Sequence, residues 1–333
     1  MSSALLNSND IKAQALRLGF VACGLAKAEA VAEDYAVRFR HWLELDYCAG
    51  MDYMRRNVDM RLHPDRLVPG VQTIVSLAMN FMPRHQQPAI SLYAQGLDYH
   101  DVMRQRMNQL MQELHLEGRC FVDTAPVLER YWAWRSGIGI ITPGGGFLSV
   151  PGYGPTVFLG ELFLTAKADH YDSPLQSPFQ SPLPAPPLGE CLNLAGQGSF
   201  GGNGALPQRG SGEGASGGTI CPALTPDGLD ARRCISYQTI EHRGPLPEEL
   251  RLGPTFYGCD RCLRATPQFL EAKPTDEPAF QPSEALLQMT PDGWKTLTEE
   301  QYRMLFKGSA VKRAKYDGLM RNIERWLQGS EPH

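Results

Sequence analysis

Apolar positions along this chain alternate between helical and strand-like spacing. Over residues 9–20, Ile11, Ala15 and Leu18 recur three to four apart, which places them on one face of a helix. Residues 71–81, VQTIVSLAMNF, are rich in β-branched and apolar side chains and predict a buried strand. A second amphipathic helix is expected over 101–116, with Met103, Met107, Leu110, Met111 and Leu114 on one face. Core packing accounts for that methionine stripe. Further strands are expected over 119–122 and 156–164. Near the C-terminus, Thr298 and Gln301 have the spacing of a capping box, with Leu297 and Tyr302 as its hydrophobic staple. A last helix is expected over 309–327.

The pattern breaks between these two regions. Residues 172–218 are first Pro/Ser-rich and then Gly-rich, a composition that cannot bury enough apolar surface to offset chain entropy. This divides the chain into a mixed α/β unit (1–171), a linker or long loop (172–218), a cysteine-bearing module (219–282) and C-terminal helices (283–333). The whole chain has 333 residues, 42% hydrophobic and 20% charged, as in a soluble globular protein. A net charge of −4 gives nucleic-acid binding no global support, so any such site must be a local basic patch. The opening MSSALLNSNDIKAQALRLGF lacks the features of a signal peptide, and no apolar run is long enough for a membrane span. A cytoplasmic protein is expected, in which clustered cysteines point to metal or catalysis rather than disulfides.

Of eight cysteines, Cys23, Cys48 and Cys120 stand alone and read as small buried hydrophobes. Cys191 stands alone before the Gly-rich stretch. The other four form a pattern: Cys221-Pro222, then Cys234, then Cys259-Asp-Arg-Cys262. In a two-cluster ferredoxin motif, C-x2-C-x2-C-x3-C-P, the last cysteine of each motif ligates the other cluster. Cys221-Pro222 matches the end of a first motif, and Cys234, Cys259 and Cys262 match the first three positions of an expanded second. Position 266, where the second motif should end, is Thr266-Pro267, and the leading cysteines of the first motif are missing. One complete ligand set remains, for a single [4Fe-4S] cluster. Four cysteines with one C-x2-C also suit a tetrahedral zinc site. The Cys-Pro element and the crossed pattern favour iron–sulfur.

Several long segments, in order over about residues 10–325, resemble the epoxyqueuosine reductase family. They include AGMDYMRRN (49–57), LVPGVQTIVSLAMNF (67–81), YAQGLDYHDVMRQR (93–106), FVDTAPVLER (121–130), FLGELFLT (158–165), LDARRCISYQTIEHRGPLPEELR with FYGCDRC, and FKGSAVKRAKYDGLMRN (306–322). That family, related to reductive dehalogenases, reduces the epoxide of epoxyqueuosine at the wobble position of certain tRNAs to queuosine, using cobalamin and two [4Fe-4S] clusters. The resemblance implies an α/β (α+β) fold: a nitroreductase-like cobalamin-binding core, a ferredoxin-like iron–sulfur module, and C-terminal helices packing back. It implies tRNA, through its anticodon stem-loop, as partner, with an external electron donor such as flavodoxin or ferredoxin, and a monomer.

By the same resemblance Asp123 matches the proton donor. A carboxylic acid does this near neutral pH only if burial raises its pKa. Its alternative is to cap a helix beginning near Ala125. Asp98, Tyr99 and His100 match the family's active-site stretch and would position the substrate's hydroxyls, or else form the entry to the helix at Asp101. Where the family has a Gly-Trp-Ile-Gly-Lys type segment contacting cofactor, this chain has Gly139 through Gly146, including Ile141, Gly144 and Gly145 as candidate cofactor contacts. The last helices carry a basic face, with Lys312, Arg313, Lys315 and Arg321 as candidate tRNA contacts. The altered 139–146 segment and the lost cluster leave two other outcomes: a different cobalamin reductase or cobalamin-handling protein, or a non-catalytic cluster-binding descendant.

Overall fold

The computed structural model describes residues 5–142, 146–175 and 221–329. Its first half is built on one sheet. Helix α1 (Ser8–Arg17) leads to β1 (Ala22–Lys27), α2 (Glu33–Glu44) and β2 (Thr73–Asn80). Then come α3 (Tyr99–Glu113), β3 (Gly118–Phe121), α4 (Glu129–Arg135) and β4 (Val157–Leu164). The second half holds α5 (Ile235–Ile240), α6 (Glu299–Leu305) and α7 (Lys315–Gln328), with single turns of helix between them. The strands run in the order β1-β2-β4-β3, and each neighbouring pair is antiparallel. The fold is therefore α+β.

All of β2 is buried because helices cover both faces of the sheet. On one face Leu25, Val75, Leu77 and Leu162 meet Ile11 and Ala15 of α1 and the methionine stripe of α3. That stripe packs onto β4 at Gly160, where a Cβ would come within 2.8 Å of the Met107 sulfur. On the other face Ile74, Ala78 and Phe163 meet Phe39 and Leu43 of α2 and Trp132 of α4. A third core, around Phe256, Tyr257, Trp294, Phe306, Leu319 and Ile323, joins the C-terminal helices to residues 89–94.

Local chemistry sets the element ends. Asn7 caps α1 by accepting from the amides of Asn9 and Asp10, and the helix stops short of 20 because Gly19 takes a φ of +92°. Asp98 caps α3, so that helix starts at Tyr99 rather than Asp101. Both bonds of the Thr298–Gln301 capping box are present, with Leu297 and Tyr302 in the same core. The expected helix over 309–327 is instead a 3-10 turn, Ala310–Ala314, followed by α7. The break falls at Lys315, whose φ of +60° interrupts the helical path. Among the described residues no helix is long and apolar enough to cross a membrane.

Candidate active site and cysteine cradle

A cavity of about 360 Å³ lies where the sheet, α4 and the cysteine module meet. Cys221, Cys234, Cys259 and Cys262 all line it, and so do Tyr99, Asp123 and Glu129. Phe81, Phe147, Leu148, Val157 and Leu159 supply apolar wall.

The cysteines come from three segments, each fixed to the core. Cys234 precedes α5 and follows a turn capped by Asp230. This strand of chain is held to α2 and its following loop by Trp42 Nε1 donating to the Leu229 carbonyl (2.8 Å) and by the Ala231 amide donating to Tyr47 (2.9 Å). Cys259 and Cys262 flank Asp260, whose carboxylate accepts from the Ser91 hydroxyl and the Leu92 amide. Gly258, at φ +72°, lets this turn approach: a Cβ there would lie 2.5 Å from that of Ser91.

Backbone amides of Ala223, Leu224, Ser236, Tyr237 and Arg261 point at the sulfurs of Cys221, Cys234 and Cys259. A hydrogen bond from Cys262 holds Cys221 down, to about 6, and the same contact pushes Cys262 up. Burial raises Cys234, and Cys259 to about 11. Four thiols with amide donors aimed at them are a donor set suited to a thiolate-ligated cluster. Among the described residues no three His, Cys, Asp or Glu side chains are gathered closely enough to hold a single metal ion. Thr266 stands where a further ligand is absent, and its hydroxyl donates to the Leu263 carbonyl (2.7 Å). Cys191 lies outside the described residues.

Asp123, also in the lining, follows β3 at a φ of +49°. It does not cap a helix near Ala125, because α4 begins only at Glu129. Its carboxylate accepts from the Tyr99 hydroxyl (2.7 Å) and lies 3.8 Å from His100 Nε2. On its other side the His100 ring meets Asp98, with Nδ1 2.6 Å from Oδ1. The Asp123 amide donates to Glu129 Oε1 (2.5 Å). Asp98, Tyr99 and His100 therefore do converge on Asp123, although Asp98 also has the structural work of capping α3.

Electrostatics correct one expectation. Burial acts to raise Asp123, yet hydrogen bonds from His100 and Tyr99 and the His100 charge outweigh it, so Asp123 is lowered. Burial opposes charge on His100 too, but Asp123 and Asp98 lift it to about 9. Glu129 goes the other way: burial and the facing Asp123 push it up to about 8. Behind it Glu161, at 0% exposure on β4, is held well above the carboxylate range by burial and then by Glu129 and Asp123. Neither Glu161 oxygen has a partner, nor does the hydroxyl of Ser76, its register partner on β2. The sequence reading passed over Glu129 and Glu161. The one available signal was an acid inside the apolar strand FLGELFLT.

Ile141 lies in a two-residue strand paired with Leu148–Ser149 and packs on the core rather than lining the cavity. Gly144 and Gly145 lie outside the described residues. Of the basic candidates, Lys312 and Lys315 are exposed. Arg313 pairs with Glu241 (2.7 Å), and Arg321 donates to the carbonyls of Gln238, His242 and Gly244, so these two fasten the C-terminal helices to α5 and its following loop.

The family described as epoxyqueuosine reductase QueG, DUF1730, matches residues 61–124. The epoxyqueuosine reductase of Cellulophaga algicola is 33% identical, over 97% of this chain and 99% of that protein. That of Pseudomonas aeruginosa is 32% identical, over 95% of this chain and 83% of its own length. The crystal structure of an epoxyqueuosine reductase with a tRNA-Tyr epoxyqueuosine-modified stem loop has the same fold (TM-score 0.76, 21% identity, 96% of this chain and 80% of that one). So does the Bacillus subtilis enzyme with its aspartate catalytic loop swung out of the active site (TM-score 0.76, 21% identity, 96% and 81%).

Proposed function

Because this chain belongs to the epoxyqueuosine reductase family, we infer that it is an oxidoreductase that reduces the epoxide of epoxyqueuosine in tRNA to queuosine, the last step of queuosine biosynthesis. The observation that carries the reading is the shared cavity, lined both by four thiols and by a hydrogen-bonded acid cluster.

Cys221, Cys234, Cys259 and Cys262 would hold one [4Fe-4S] cluster. The Cys221-Pro222 element and the crossed ligand pattern support that over zinc. The apolar walls of the cavity suit the face of a corrin ring. Cobalamin, when bound there, supplies a cobalt centre that passes electrons from the cluster to a substrate carbon. Electrons enter from an external one-electron donor of the flavodoxin or ferredoxin type.

Asp123 relays to the epoxide oxygen a proton held by the charged His100 ring, 3.8 Å from its carboxylate. Tyr99 and His100 hold its carboxylate at rest and release it when the substrate oxygen takes their place. The segment from 123 to 128 has no regular structure, and Arg61 holds it by donating to the Val127 carbonyl (3.4 Å). The swung-out loop of the Bacillus subtilis enzyme supports a movable Asp123 here. Lys312 and Lys315, both exposed, would meet stem-loop phosphates.

The test is direct. The protein is reconstituted anaerobically with iron, sulfide and cobalamin and given a reduced one-electron donor and an epoxyqueuosine-containing stem loop. Nucleosides are then read by mass spectrometry. Queuosine from the wild type, lost in Asp123→Asn, is the expected result. Corrinoid binding without conversion would sink the assignment.

A further inference from the structure

Reducing an epoxide to an alkene breaks both C–O bonds, forms one C=C bond, and releases the oxygen as water. The balance requires two electrons, from the external donor, and two protons. One proton comes from the charged His100 by way of Asp123. The second must come from a group that reaches the same space and is not already held as an anion.

We propose that Glu129 is the second acid of this site, anchoring the Asp123 segment through one carboxyl oxygen and delivering a proton into the cavity from the other. The inference rests on the reductase reading above. Its geometry is specific. Glu129 is the first residue of α4, lines the cavity, and accepts the Asp123 amide at Oε1 (2.5 Å). That bond occupies one oxygen as an acceptor and leaves Oε2 to carry the proton. The neighbouring acid is fixed by two donors, Tyr99 and His100, that favour its charged form.

The charged and titratable groups around Glu129 come from every side. Asp123 faces it from the loop, His100 and Tyr99 from α3, Arg61 from the short helix Val58–Leu62, and Arg130 from α4 itself. Glu161 backs it from β4. Val157 and Leu159 line the cavity, and Glu161 is the next residue on that face of the strand, about 7 Å further on. With no partner for either oxygen it stays neutral, so an ionised Glu129 meets a carboxyl rather than a second anion behind it. Glu129 itself, pushed up to about 8, keeps its proton at neutral pH and sits near the optimum for a general acid.

Two measurements test this. In the first, single-turnover epoxide reduction by the reconstituted enzyme is followed against pH for wild type and Glu129→Gln. The amide still accepts from the Asp123 amide but has no transferable proton. The expected wild-type rate falls above about pH 8, and the variant loses roughly a hundredfold together with that pH limb. In the second, the carboxyl infrared band of the full-length chain without cofactors is titrated. A band disappearing near pH 8 should be absent in Glu129→Gln and move to lower pH in Asp123→Asn, which removes the facing charge. A Glu129→Gln enzyme with the wild-type rate and pH limb overturns the proposal. So does a band near pH 8 that persists in that variant. If the wild type converts no epoxide at any pH, the reductase reading fails, while the infrared titration still decides the protonation of Glu129.

Discussion

Replacing Tyr99 by Phe removes one atom and isolates one interaction. The ring is stacked on Phe158 at 4.2 Å with an 8° tilt, and that packing survives the change. What is lost is the O–H donated to Asp123 Oδ2. A hydrogen bond to a charged group contributes about 1.5–3 kcal/mol. The Asp123 side chain is 60% exposed to the cavity, so the low end applies, about 1.5 kcal/mol. At 1.36 kcal/mol per pKa unit, the Asp123 midpoint should rise by about one unit. The sign follows for stability. A depressed carboxylate stabilises the fold above its unfolded pKa, and that contribution is lost as pH falls through the folded value. Tyr99→Phe should therefore be less stable than wild type at neutral pH, with the gap closing in acid. Carboxyl titration by infrared or carbon-13 NMR, with chemical denaturation at neutral and acid pH, reads both effects. An unmoved Asp123 midpoint would refute the claim that Tyr99 holds it ionised.

Three further outcomes are expected. His100, raised to about 9 by its two aspartates, contributes stability that is full below about pH 6.5 and lost as pH rises through about 9; His100→Gln should flatten the melting temperature across that window. Lys312→Glu and Lys315→Glu should weaken stem-loop binding and each reduce the salt slope by about one, whereas Arg321→Ala should leave binding intact and destabilise the fold by about 1–3 kcal/mol through lost carbonyl contacts. Reconstituted wild type should hold about four Fe per chain, and Cys234→Ser far less, while Cys120→Ser, which does not line the cavity, should match wild type; eight Fe in wild type would mean a second cluster.

Regular elements were legible because burial has a period. The strand over 71–81, the methionine face of α3 and the capping box each follow from local spacing. Element ends were harder, because single residues decide them: Asp98 moved the start of α3, and Lys315 split the last helix. The cysteine set was legible as a count and a pattern. That its four members line the acids' cavity was not, since the ties are long-range, from Asp260 to Ser91 and from Trp42 to Leu229. Arg313 and Arg321 read as a basic surface because composition cannot see the carbonyls and the Glu241 carboxylate that engage them.

The charge state of Asp123 could not be read in sequence at all, and it changes how the site must work. Apolar neighbours such as Phe121 and Val122 suggest a raised pKa, as does burial itself. The outcome is set by two residues of another helix, Tyr99 and His100, brought there because Asp98 starts α3 with their side chains toward β3. The protein thus keeps its expected acid ionised and places the protonated carboxyls one layer deeper, on Glu129 and Glu161. Burying Glu161 and Ser76 without partners costs about 1–3 kcal/mol for each unsatisfied group, in a sheet whose other buried polar side chains on β2, Thr73 and Asn80, are hydrogen-bonded. A fold selected for stability alone would place a valine or leucine at 161. Local rules broken at one point of an otherwise consistent sheet mark a functional site. Here the break lies directly behind the two acids that a two-proton reduction needs.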